Sequence, residues 1–156
     1  MKSRSRGFVT LLVVFLSIGI FAVAGCLQAA ENDQATKEGQ KAITEGAKQM
    51  MDGNKAIMDI MAKKGVKDPD LTTAEKMMTD GMNMITKGES MITAGTVAEG
   101  KTMVRHGAKM MLDAQKTTMG VVEKHGMVYE CSIALDTCGY AEKRMKQGAL
   151  DWFFGS

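Results

Sequence analysis

Two groups of side chains in this sequence stand at spacings that permit chemistry. The first is Met103-x-x-His106-x-x-x-Met110, where steps of three and four residues bring two thioethers and an imidazole to one helical face. Such donors suit a soft monovalent ion, Cu(I) or by the same softness Ag(I), and a thioether stays available as a ligand where a thiol oxidises. His125-x-Met127 is a poorer version of the same grouping. The second group is Cys131 and Cys138, which in an oxidising compartment are expected to pair as a disulfide. Seven residues of regular helix would hold their Cα atoms about 10 Å apart, beyond the roughly 7 Å that a bridge tolerates. A disulfide therefore demands a bend within residues 132–137. A redox-active or metal-binding pair is the alternative, although the spacing is not Cys-x-x-Cys.

Methionine is the compositional outlier, at 15 residues after the signal-like segment against five leucines, a reversal of the usual ratio. Met84 and Met91 belong with Met103 and Met110, as does Met77, because each stands just before an apolar heptad position. With a turn near Gly95, Met91 is expected beside Met103 and Met84 beside Met110. Three readings of this set stay open. Methionine fills irregular core gaps well, it ligates soft metals, and it absorbs oxidants through a reversible sulfoxide. The Met103–His106–Met110 grouping resembles the Met-x-x-His and His-x-x-x-Met units of periplasmic Met/His-rich copper- and silver-binding proteins. That resemblance implies a Cu(I) or Ag(I) ligand, but this chain has only two histidines. Enzyme chemistry finds no footing: there is no phosphate loop, dinucleotide fingerprint, His-Glu-x-x-His helix or paired-Cys knuckle.

The elements that must position these residues follow from an internal repeat of seven. Small residues recur at Gly39, Gly46 and Gly53, at Gly81, Gly88 and Gly95, and at Gly100, Gly107 and Ala114. Three residues before most of them stands an apolar one, such as Ile43, Met50, Met78, Ile85, Ile92, Val104 or Met111. That is a heptad helix pattern. A glycine inside a helix costs about 1 kcal/mol relative to alanine, so close backbone approach along a seam of Gly46, Gly53, Gly81, Gly88 and Gly107 must offset the loss.

Helices are expected over about 33–64, 73–94 and 97–124, with Thr72-x-x-Glu75 and Thr96-x-x-Glu99 as capping boxes. A shorter helix is expected over 139–153, after the disulfide loop. The predicted fold is an all-α, antiparallel up-and-down helical bundle with coiled-coil character: three long heptad helices and a shorter C-terminal one.

The N-terminus carries its own signal. Lys2, Arg4 and Arg6 precede an apolar run from Phe8 to Ala24, the n- and h-regions of a secretory signal. The run ends in Val23-Ala24-Gly25-Cys26, which resembles the bacterial lipobox and implies cleavage before a lipidated Cys26. Ordinary cleavage after Ala24, or an uncleaved anchor, are the alternatives. Residues 1–25 are thus expected to be a signal peptide, 26–32 a lipidated cysteine and spacer, and 33–156 a single bundle domain.

Without the signal, 17 basic side chains stand against 18 acidic ones, which leaves no basic stripe for nucleic acid. The expected role is a non-enzymatic envelope lipoprotein, a structural or interaction bundle facing the periplasm. The alternatives are a soft-metal binder or buffer and a methionine oxidant sink. The expected partners are the membrane, through the lipid, and a second copy or another envelope protein. Leu27 after the cysteine favours the outer membrane over the inner one, and a secreted periplasmic form is the alternative.

Overall fold

The computed structural model describes residues 36–154. The signal peptide, Cys26, the spacer at 27–32 and the expected helix start at 33 lie outside the described residues. Within them are four α-helices: α1 over 36–63, α2 over Pro69–Thr93, α3 over Val97–Lys124 and α4 over Ser132–Phe154. The predicted all-α antiparallel bundle is the observed architecture. Among the described residues no helix is long and apolar enough to cross a membrane.

The three connections share one device. Gly65, Gly95 and Gly126 all have positive φ, at 76°, 95° and 65°, and each stands two positions past the last helical residue. In each turn the glycine N–H bonds back to a carbonyl three residues earlier, and the next N–H to one five residues earlier. The pairs are Gly65 to Ala62 with Val66 to Met61, Gly95 to Ile92 with Thr96 to Met91, and Gly126 to Glu123 with Met127 to Val122. This is the Schellman arrangement, which satisfies the last helical carbonyls and reverses the chain.

Helix starts differ from expectation. Asp68 caps α2, its Oδ1 accepting from the Asp70 N–H at 3.1 Å, with Pro69 in the first helical position, where a missing N–H does no harm. The Thr72-x-x-Glu75 box therefore lies inside the helix. Thr96 does stand at the α3 N-cap but makes no side-chain cap bond. Its hydroxyl donates instead to the Met91 carbonyl at 3.0 Å.

The larger correction concerns α4. It begins at Ser132 and not near residue 139, so residues 132–137 are helical and the bend required for a disulfide is absent. Cys131 and Cys138 are buried free thiols. Their spacing of seven is a heptad step, and the series continues through Met145 to Trp152, all buried. A second series, Ala134, Ala141 and Gly148, supplies the small positions. Hence α4 is a full heptad partner for α1.

Glycine seams join the helices in two antiparallel pairs. On α1–α4, a Cβ added to Gly39 would lie 2.7 Å from the Gly148 oxygen, one on Gly46 2.7 Å from Met145 Cγ, and one on Gly53 2.7 Å from Cys138 Sγ. On α2–α3, Gly88 and Gly100 meet reciprocally, a Cβ on either falling 2.7 or 2.6 Å from the other's oxygen, and Gly81 sits against Gly107 and Met111. All five predicted packing glycines, Gly46, Gly53, Gly81, Gly88 and Gly107, thus lie in seams. In each seam a small residue receives a large one from the partner helix, the interlocking expected of close heptad packing.

The pairs meet over a core of Ile43, Ala47, Met50, Ala74, Met78, Ile85, Val104, Met111 and Met145, with a second cluster of Ile57, Met61, Leu71, Val121, Val122 and Met127 around the two thiols. Charged and polar side chains tie helix to helix at the margins: Thr44 to Glu89, Arg144 to Glu45, and Lys101 and Arg105 of α3 over the Trp152 and Phe153 rings.

Candidate functional site

The seam glycines fix how the flanks of α2 and α3 align. With Gly81 against Gly107 and Gly88 against Gly100, one flank of the hairpin faces the core through Ala108 and Gln115, both buried. The other flank faces outward and carries Met77, Met84 and Met91 on α2 and Met103 and Met110 on α3. All five are half-buried, the exposure of side chains that wall an open groove. The methionines therefore divide. Met50, Met61, Met78, Met111, Met127 and Met145 are core, and the gap-filling reading accounts for them. Of the flank set, Met77 also packs against that core, while Met84, Met91, Met103 and Met110 stand outside it.

Within the groove, Met84, Met103 and His106 come together with Ala98, Glu99 and Thr102 around an open pocket of about 330 Å³. Two methionines from facing helices and one histidine thus line a single space. Met84 is the residue that joins α2 to the Met103–His106 unit. Met110, expected as the second sulfur of that unit, does not line this pocket, and neither does Met91. The pairs expected from the sequence, Met84 with Met110 and Met91 with Met103, are one heptad out of register. The glycine contacts place Met84 opposite Met103, and the same register places Met77 opposite Met110.

The α1–α4 pair offers an internal comparison. It has the same glycine seam, yet its outward flank carries Ala42, Gln49 and Ala56 on α1 and Thr137, Arg144 and Asp151 on α4. Packing beside a glycine seam therefore does not require methionine. Softness at this position is a property of the α2–α3 groove.

Other clusters are structural in character. Asp68 Oδ2 accepts from Lys124 Nζ at 2.9 Å and His125 Nε2 at 3.0 Å. The Lys124 bond, the His125 bond and the Asp70 N–H pull its pKa down to about 2. This links the α3 end to the α2 start, and it leaves His125 engaged with a carboxylate rather than grouped with Met127. A cleft of about 440 Å³ beside Asp68 is lined by Met58, Ala62, Val66, Leu71 and Thr72 among others. Burial pushes the Cys138 thiol up to about 11 and raises that of Cys131, the opposite of what a reactive thiolate requires. Among the described residues no three His, Cys, Asp or Glu side chains gather where they would hold a metal ion, so a hard or borderline divalent site has no ligand set there.

The chain matches no protein-family model, no curated protein and no solved structure.

Proposed function

We propose that the protein is a non-enzymatic, lipid-anchored envelope protein whose helical bundle binds a soft monovalent metal ion, Cu(I) or Ag(I). The observation that carries this reading is the convergence of Met84, Met103 and His106 on one open pocket between α2 and α3. Two thioethers and an imidazole form a donor set that favours a soft ion over the abundant hard divalent cations. The comparison with α1–α4 adds weight, since the same seam is built there without a single flank methionine. The signal-like segment and Cys26 supply the tether, and the membrane is then the first partner.

A Cu(I) titration against a competing chelator of known affinity, on the full-length lipidated protein in detergent, tests the metal reading. Stoichiometric binding that falls at least tenfold, or about 1.4 kcal/mol, in a Met84→Leu/Met103→Leu variant is the expected result. Wild-type protein that takes up no Cu(I) in this competition returns the flank methionines to packing or oxidant scavenging. Labelled palmitate lost in Cys26→Ala tests the anchor separately.

A structural or interaction role is the second reading, favoured by Tyr129, Ile133 and Tyr140. These large side chains are exposed along one outer face around α4, apolar surface of a kind that suits a protein partner. If a second copy covers this face, Ile133→Glu shifts the sedimentation of the protein toward monomer.

A further inference from the structure

We infer that the groove holds a second soft-ion site at Met77 and Met110, one heptad from the first, so that the α2–α3 hairpin carries two ions of unequal affinity. This rests on the metal reading above and extends it from a pocket to a track.

The argument begins with register. Gly81 against Gly107 and Gly88 against Gly100 hold α2 and α3 in step over two heptads. A shift of seven residues therefore carries the Met84–Met103 pair onto Met77–Met110. Both of these methionines are half-buried, as Met84 and Met103 are, Met77 partly against the core, so the pair stands across the seam with part of each side chain left toward solvent. Seven residues of helix separate the two pairs by about 10 Å, far enough for two monovalent ions to sit without sharing a ligand.

The third donor makes the sites unequal. Three residues beyond Met103 stands His106, which lines the first pocket. Three residues beyond Met110 stands Asp113, and three beyond Met77 stands Asp80. Both carboxylates are engaged by lysines, Asp80 by Lys76 at 2.7 Å and Asp113 by Lys109 at 2.6 Å and Lys116 at 3.7 Å. A carboxylate is also a hard donor, poorly matched to Cu(I) or Ag(I). The second station is therefore a two-sulfur site, compatible with the linear two-coordination that these ions accept. The first station, with sulfur, sulfur and nitrogen, fills before it.

The test uses Ag(I), which does not change oxidation state in air, titrated calorimetrically in nitrate buffer into the full-length lipidated protein in detergent. Wild type is expected to take two equivalents, the second roughly tenfold or more weaker than the first. Met77→Leu/Met110→Leu is expected to lose the weak equivalent and keep the tight one. Met84→Leu/Met103→Leu is expected to do the reverse, and Met to Leu conserves volume well enough to keep the fold.

One equivalent in wild type, unchanged by Met77→Leu/Met110→Leu, overturns the second site and leaves the first standing. Two equivalents that both survive this substitution also overturn it, since the weak ion then binds elsewhere. No Ag(I) uptake in wild type sinks both readings. The wild-type stoichiometry is decisive between one ion and two even if a variant fails to fold.

Discussion

Thr118 of α3 donates a 2.7 Å hydrogen bond to Asn54 Oδ1 of α1 across the buried interface between the two helix pairs. The other side of the Asn54 amide is used as well, its Nδ2 lying 3.7 Å from Met58 Sδ. Replacing Thr118 with Val keeps the shape but leaves a buried carbonyl oxygen without its donor, at a cost of about 1–3 kcal/mol. Urea unfolding of Thr118→Val should show the midpoint lowered with an unchanged slope. A double Thr118→Val/Asn54→Leu variant should recover part of the loss, because both polar partners are then gone.

Glycines in this bundle fall into two classes that substitution should separate. Gly88→Ala puts a methyl 2.7 Å from the Gly100 oxygen and 2.7 Å from Val104 Cγ2, so the helices must move apart, and Gly88→Leu should disrupt the hairpin outright. Gly120 and Gly139 are helical with nothing within 4 Å of an added Cβ. Alanine there should stabilise by up to about 1 kcal/mol, the propensity difference alone. Thermal melts of Gly88→Ala and Gly139→Ala should shift in opposite directions. A Gly88→Ala protein as stable as wild type contradicts the seam.

Acid should expose the Asp68 clamp. Its carboxyl titrates near 3.8 when free and at about 2 when folded, chiefly because of the Lys124 bond, then the His125 bond. A depressed folded pKa means that the unfolded chain takes up the proton first. The contribution is complete above the unfolded value and is lost as pH falls from about 4 toward 2. Asp68→Asn should therefore melt lower than wild type at pH 6, with the gap closing by pH 2. A gap that is the same at both pH values assigns the loss to the cap alone.

The two cysteines should behave as inert core groups. Both are fully buried, and the Cys138 thiol, raised to about 11 by burial, is protonated throughout the neutral range. Iodoacetamide should modify neither Cys131 nor Cys138 in native protein, and both in denaturant. Oxidant treatment of the native state should not produce an intramolecular disulfide, which mass measurement after alkylation would detect as two missing labels.

The sequence made much of this architecture readable, through glycines that recur every seven residues. Gly39, Gly46 and Gly53 marked α1, and Gly81, Gly88, Gly100 and Gly107 marked the hairpin, because glycine is so unfavourable in helices that its repetition needs a packing cause. The partner series on α4 escaped for the complementary reason. Its small positions are Ala134, Ala141 and Gly148, two of them ordinary helix formers that raise no flag. Its large positions include Cys131 and Cys138, whose chemistry suggested a bridge and hence a loop. The site was half legible: Met103 and His106 are local in sequence, but Met84 joins them through inter-helix register. The turn at Gly95 establishes that α2 and α3 are antiparallel without fixing which methionine meets which. The contacts of Gly88 with Gly100 and of Gly81 with Gly107 set that alignment.

The order of the seams along the chain governs when each can form. The α2–α3 hairpin joins neighbours through a three-residue turn, and its contacts are local, so loop closure costs it little. The α1–α4 seam joins the first described helix to the last, with the hairpin between them, and is the non-local half of the fold, which local-contact arguments place late. As the chain emerges N-terminus first, α1 has no partner for its glycine face until the final helix is free. A chain halted before α4 presents Ile43, Met50 and Ile57 uncovered. The last helix thus acts as a completion check, and a truncation that removes Trp152 or Met145 should behave as an unfinished polypeptide, open to proteases along α1, while the hairpin stays intact.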